Sequence, residues 1–308
     1  MKASLEKTPR RLLPGLLLLL AGCGGNTMIY QQAELDSFLQ QQQGRALSFQ
    51  TRAGNQTAFY VPPKADPSAA QSSGADPSPA GPSAPSAPLV ICYPGISSRA
   101  LDWLWLPERS PEPRAGFLLI EYPGRGLCKG RMRPKYLPES SDGALAALAA
   151  QLGVERAALE KDTRFIGHSF GTAAALQFAC RLETPPRAIV LVAPLTTLHK
   201  ALFRKFGPLA WLNPDRMDNR AYLTQLHGAP EPPAVAIFHG DADNALPVKM
   251  GRQLTALFPE WIRYREIPGV DHVGILRTCG DEIIQALFSE RPKETERTTE
   301  NTEATEKK

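Results

Sequence analysis

From residue 89 onward, short apolar runs alternate with longer stretches whose apolar positions recur at helical spacing. Six runs predict strands: 89–93, 116–121, 163–167, 188–193, 234–239 and 262–267. The run 116–121 is almost continuously apolar, the pattern of a strand covered on both faces. Helices are expected between and after them at 100–106, 145–152, 172–180, 246–258 and 281–288. Such alternation points to an α/β protein with a mostly parallel sheet wound on both sides. Upstream, Leu35, Phe38 and Leu39 share one helical face within 33–43, and Gly44 is a plausible stop. Two further strands, 46–51 and 58–61, flank the turn residues Arg52-Ala53-Gly54-Asn55.

Three segments break the pattern. Residues 62–88 are Pro, Ala, Ser and Gly with almost no large apolar side chain, so burial cannot offset the entropy of ordering them. They are expected to be a loop inside one domain, because the domain beyond residue 89 otherwise lacks its opening hairpin; a stalk is the alternative. The tail 289–308 is Glu, Lys and Thr without apolar residues and is expected to be disordered. At the other end, basic residues precede an apolar run at 12–20, too short to span a bilayer, that reads as a signal-peptide core. It closes in Leu20-Ala21-Gly22-Cys23, which matches the lipobox of bacterial lipoproteins. The expected organisation is a signal peptide over 1–22, a lead and short helix over 23–44, and one catalytic domain over 45–288.

Charge changes the picture only by exclusion. The formal net charge of +4 owes much to the leader, where Lys2, Lys7, Arg10 and Arg11 face only Glu6. Without residues 1–22 the chain has 31 basic against 30 acidic residues. The pI of 8.8 is therefore no argument for nucleic acid. After Cys23, four cysteines remain, Cys92, Cys128, Cys180 and Cys279, with no Cys-x-x-Cys or Cys/His ligand spacing, so zinc is not expected. An exported compartment permits disulfides, but no pairing is assigned.

The candidate chemistry centres on Gly167-His168-Ser169-Phe170-Gly171. An apolar run leads in and a small-residue helix leads out, the context of a nucleophile elbow. A turn sharp enough to project the Ser169 hydroxyl leaves no room for a Cβ at either flank, hence the two glycines. A serine needs a base, and the base an orienting acid. Among five histidines, His168 lies in the elbow and is expected to point away from the hydroxyl. His239 ends a strand, and His272 lies on the loop after the last expected strand. Asp241, Asp243 and Asp271 are the nearby acids.

The elbow, His239-Gly240-x-x-Asp243-x-x-x-Pro247, Gly269-x-Asp271-His272 and Glu121-Tyr122-Pro123-Gly124-Arg125-Gly126 together resemble the α/β-hydrolase superfamily over roughly residues 45–288. The most similar group is the Bem46-like serine hydrolases, membrane-associated proteins with a Tyr-x-Gly-Tyr-Gly loop after the fourth strand. Arg125 stands where that loop usually has tyrosine, and Tyr93 rather than histidine precedes Pro94-Gly95. The resemblance implies an α/β-hydrolase fold with a small cap insertion at 194–230, whose amphipathic segments would line an acyl pocket or merely cover the sheet edge. It implies the order Ser, acid, His, and so a triad of Ser169, Asp243 and His272, with Asp241 kept as the second candidate acid and Asp271 as a loop acceptor. The oxyanion donors would be the amides of Phe170 and Ile96; Pro94 has no N–H to offer. Losing one such donor typically costs about 3 kcal/mol of transition-state stabilisation.

The expected activity is that of a serine hydrolase acting on a small-molecule carboxylic ester or thioester, with no metal or organic cofactor. A peptidase or amidase of the same fold, or a surface lipoprotein with a silent site acting as a binding module, are the alternatives. The lipobox implies acyl chains such as palmitate on Cys23 and a place in the bacterial cell envelope. Gly24, rather than Asp, points to the outer membrane where the bacterium has two. Neither the acyl group of the substrate nor the oligomeric state is written in the sequence.

Overall fold

Eight strands form one sheet in the computed structural model, which describes residues 29–64 and 87–289. They are β1 (Arg45–Thr51), β2 (Gly54–Val61), β3 (Leu89–Tyr93), β4 (Gly116–Ile120), β5 (Thr163–His168), β6 (Ala188–Val192), β7 (Ala234–Gly240) and β8 (Ile262–Ile267). Their order in the sheet is β1-β2-β4-β3-β5-β6-β7-β8. Every pairing from β4 to β8 is parallel; the β1–β2 hairpin joins through β2, antiparallel to β4. Strands β3, β4 and β6 are buried along their whole length, as their apolar runs require. The edge strand β8 instead alternates, turning Arg263 and Arg265 outward where charge discourages further pairing.

Ten α-helices are described: α1 (Gln32–Gln41), α2 (Trp105–Arg109), α3 (Leu137–Leu152), α4 (Arg156–Glu160), α5 (Phe170–Ala179), α6 (Leu198–Phe206), α7 (Asn219–His227), α8 (Lys249–Thr255), α9 (Gly274–Thr278) and α10 (Gly280–Phe288). Two apolar layers result, one on each face of the sheet. One packs Leu47, Ile91, Leu118, Phe165 and Leu191 against Leu145, Leu148, Leu176 and Leu223 of the helices. The other packs Phe59, Val90, Phe117, Ile166 and Val190 against Phe38, Leu106, Ile275 and Ile284.

Several element boundaries differ from expectation. The helix expected at 100–106 is a 3₁₀ turn, Ala100–Trp103, followed by α2. Asp102 accepts from Arg99 N at 2.8 Å and pairs with the Arg99 guanidinium, which tightens that first turn. Helix α3 begins well before residue 145, at Leu137, with Pro138 in its first turn, where a missing N–H costs nothing. The helix expected at 246–258 is only Lys249–Thr255, because residues 245 and 246 donate to Asp243 instead. The signal segment 1–22, Cys23, most of the Pro-rich stretch and nearly all of the tail lie outside the described residues. Because β2 and β3 belong to one sheet, the Pro-rich stretch joins two strands of the same domain.

Candidate active site

Since β3 to β8 run in one direction, the loops that follow them converge at one end of the sheet. Ser169 follows β5, Asp243 follows β7 and His272 follows β8; the loop at 94–96 follows β3 and Tyr122 follows β4.

Ser169 has φ 55° and ψ −121°, a conformation a side chain rarely adopts, of order 1–3 kcal/mol above the ordinary wells. The turn is held from several sides. Ser169 N donates to Val192 O at 2.9 Å, and Thr172 Oγ1 donates to Ser169 O at 2.6 Å. A Cβ at Gly167 would lie 2.5 Å from Gly171 O, and one at Gly171 only 2.1 Å from Tyr93 O. Both glycines are thus dictated by backbone packed against backbone.

Phe170 opens α5, so its N–H has no acceptor within the helix. Ile96 N also meets no acceptor among the described residues, while Ser98 N closes its turn onto Gly95 O at 3.0 Å. Gly95 sits directly on the elbow: a Cβ there would be 2.8 Å from His168 Nδ1 and 3.7 Å from Ser169 Cβ.

His272 and Asp243 are together. Nδ1 of His272 lies 2.6 Å from Asp243 Oδ2, and the other carboxylate oxygen accepts from Ala245 N at 2.8 Å and Leu246 N at 2.7 Å. His239 Nε2 is 3.3 Å from the same Oδ2 and 2.9 Å from Leu246 O. Burial by itself would raise the Asp243 pKa, but hydrogen bonds from His239, His272 and the amides outweigh it and hold the carboxyl below its usual range. Asp241 is occupied elsewhere, accepting from Gly269 N at 2.6 Å. Asp271 accepts from Val273 N and Gly274 N, a role confined to its own loop.

His168 is buried behind the serine. Its Nε2 is 2.9 Å from His272 O, and the two imidazole rings lie 4.8 Å apart. Burial, and then the neighbouring His272, lower its pKa from 6.5 to about 4, so it is neutral at physiological pH. The Ser169 hydroxyl and the His272 imidazole are not hydrogen-bonded to each other in this structure.

Sequence reasoning missed Tyr122. Its hydroxyl donates to Pro94 O at 2.7 Å and its ring meets Phe170 edge-on at 5.7 Å. The only signal was its place in the Glu-Tyr-Pro-Gly-Arg-Gly run, to which no chemistry was attached. Glu121, beside it, is buried; it accepts from Tyr30 Oη, Ala100 N and Tyr122 N. Burial raises its pKa despite those bonds and the nearby Arg125.

The cap at 194–230 is built from α6, a 3₁₀ segment Gly207–Leu212 and α7. Leu198, Leu202, Ala210 and Met217 pack into the sheet layer. Two cavities that the cap bounds, about 460 and about 720 Å³, are lined by neither Ser169 nor His272. All four cysteines among the described residues are free thiols. No cluster of three or more His, Cys, Asp or Glu with metal-site geometry occurs among the described residues.

Comparison with known proteins places the chain in context. A family model described as "Alpha/beta hydrolase family" matches residues 89–302. The structure is similar to an alpha-beta hydrolase from Vibrio vulnificus, with TM-score 0.64, 15% identity, and coverage of 92% of this chain and 98% of that one. An esterase of Pyrococcus furiosus gives TM-score 0.54 and 12% identity, covering 83% and 93%. The esterase domain of a Rhodothermus marinus protein gives 0.52 and 14%, covering 79% and 96%. At these identities the likeness is one of fold. No curated protein matches the chain.

Proposed function

Starting from the chain's membership of the alpha/beta hydrolase family, we propose that it is a serine hydrolase cleaving a carboxylic ester or thioester, and that Cys23 anchors it by lipid in the cell envelope. The observation that carries the catalytic reading is the 2.6 Å bond between His272 Nδ1 and Asp243, formed at the same end of the sheet as the strained Ser169 turn.

In this mechanism Ser169 Oγ attacks the substrate carbonyl as His272 Nε2 takes its proton. Asp243, accepting from Nδ1–H, fixes the imidazole tautomer and stabilises the imidazolium. The Phe170 and Ile96 amides bind the oxyanion as charge develops. His272 then protonates the leaving alcohol or thiol, and water, activated by the same imidazole, releases the acid from the acyl-enzyme. The serine–histidine hydrogen bond, which is not made in this structure, forms as substrate fills the site, a common property of such pairs.

Ser169→Ala tests the proposal. It is expected to abolish labelling by a fluorophosphonate probe and hydrolysis of short p-nitrophenyl esters in a folded protein. Turnover surviving in that variant rejects Ser169 as nucleophile. A wild-type protein that is folded but unlabelled favours the binding-module reading, and faster turnover of anilides than of esters favours an amidase.

A further inference from the structure

The cap leaves apolar side chains in water that the rest of the fold does not need. Trp211 and Leu212 are each 66% exposed, Leu209 52% and Phe203 46%. All belong to α6 or to the 3₁₀ segment that follows it. Leu198 and Leu202 already supply the contact of α6 with the core, so this second apolar surface faces outward. Exposed apolar side chains concentrated in one short segment of an otherwise well-packed fold, Phe203 and Trp211 on one cavity and Leu209 and Leu212 on the other, mark an interaction surface.

Its surroundings are basic. Phe203 and Trp211 line the open groove of about 720 Å³ together with Lys200, Arg204, Arg220 and Lys249. The one acidic side chain in that wall, Asp218, is already paired with Arg220 at 2.6 Å. Trp211 packs on His199 with ring centroids 4.1 Å apart, which holds the indole at the surface rather than folding it inward. Apolar residues headed by a tryptophan and flanked by Lys and Arg are the make-up of a segment that lies in a membrane interface.

The position agrees. The cap follows β6, so it stands at the carboxyl end of the sheet with Ser169, Asp243 and His272. Val273, next to His272, is also exposed there. Tyr30 is fastened at the same end, where its hydroxyl donates to Glu121 and accepts from Leu101 N at 3.1 Å. Five residues lie between Cys23 and Ile29, and the six Cα–Cα steps from one to the other reach about 20 Å at full extension. An acyl anchor on Cys23 therefore places this end of the molecule within reach of the bilayer.

We infer that the outer face of the cap, from Phe203 to Leu212, docks on an anionic lipid bilayer, so that the candidate active site opens toward the membrane surface and takes its substrate from there. The orientation rests on the proposed lipidation of Cys23, whereas the docking surface stands on the cap's own residues.

The test is fluorescence of Trp211 in the full chain, added to vesicles of phosphatidylglycerol and phosphatidylcholine whose acyl chains carry bromine. The emission lost in Trp211→Phe is assigned to Trp211. That component is expected to shift to the blue and be quenched on vesicles containing phosphatidylglycerol. Quenching is expected to fall on pure phosphatidylcholine, and in the Lys200→Glu, Arg204→Glu variant, whose fold is checked by circular dichroism. Mass spectrometry of the Cys23 peptide reads the anchor separately. An acylated Cys23 with an unquenched Trp211 overturns cap docking while leaving the anchor intact. Quenching with an unmodified Cys23 removes the anchor and keeps the docking surface. A Trp211 shift that depends on protein concentration and not on vesicles also overturns it, and assigns the face to a second copy of the chain.

Discussion

Tyr122 holds both loops whose amides are proposed to bind the oxyanion, through its hydroxyl on Pro94 O and its ring on Phe170. Tyr122→Phe keeps the ring and removes the hydroxyl, leaving the carbonyl that precedes Gly95-Ile96 without its donor. A positioning role predicts a fall in kcat of about ten-fold, the worth of roughly one hydrogen bond, with little change in KM. A merely structural role predicts a lower melting temperature and unchanged kcat. His168 makes a second prediction at this scale. Its imidazole stays neutral in the folded protein down to about pH 4, whereas in the unfolded chain it takes a proton near 6.5. The unfolded state therefore binds more protons between those values. This contribution is constant above pH 6.5 and is lost as pH falls toward 4, by up to about 3 kcal/mol. Denaturant titrations across that window should show a shallower loss in His168→Asn, and an unchanged slope refutes the assignment.

Strand β3 and helix α5 meet backbone to backbone at Gly171. An alanine there would gain up to about 1 kcal/mol of helix propensity, yet its Cβ would stand 2.1 Å from Tyr93 O and 2.6 Å from Pro94 O. Neither carbonyl can turn aside, so Gly171→Ala is expected to destabilise by about 2 kcal/mol or more and to disturb the adjoining elbow. The control is Gly228→Ala, whose Cβ would meet only carbonyls at 3.6 and 3.7 Å; urea unfolding should place it within about 0.5 kcal/mol of wild type. Element boundaries show where pattern reading stops. Strand β3 was legible to both ends because an apolar run states its own length, and β8 because isoleucines bound its alternating polar positions. The first turns of α3 were not, because after Leu137 they bury Ser140 and Ser141 rather than further leucines, and Ser141 is accommodated by the Tyr93 hydroxyl at 2.9 Å. Helix α4 was also missed: its buried Glu160 is acceptable because Arg156 lies 2.7 Å away and Glu183 N donates to its other oxygen at 3.2 Å.

The arrangement of the whole molecule bears on how it is held. The described chain starts at the carboxyl end of the sheet, close in sequence to Cys23, and the hairpin β1–β2 ties that lead into the eight-stranded sheet through β4. Anchoring through several acyl chains, at about 0.8 kcal/mol per buried CH₂, is stable where one chain is marginal. Cys23→Ser is expected to lose acyl labelling and to move the protein from the membrane to the soluble fraction. A wild-type Cys23 that takes no acyl label refutes the lipobox reading. No described helix is long and apolar enough to cross a membrane.

The residue pattern by itself determined the class of fold, the order of β3 to β8 along the chain, and the elbow at Ser169. Each of these is local: a period of two or of 3.6, or a glycine demanded by a turn, is written in neighbouring residues. The resemblance favoured Asp243 over Asp241 as the partner of His272, but only the tertiary structure decided it, since neither acid's neighbours in the chain show which one turns inward to a histidine 29 residues away. It also decided that Tyr122 spans 28 residues to Pro94, and that the cap keeps an apolar face in the water. Such contacts depend on how separate elements pack, and packing is a property of surfaces brought together by the fold, which no short stretch of sequence contains.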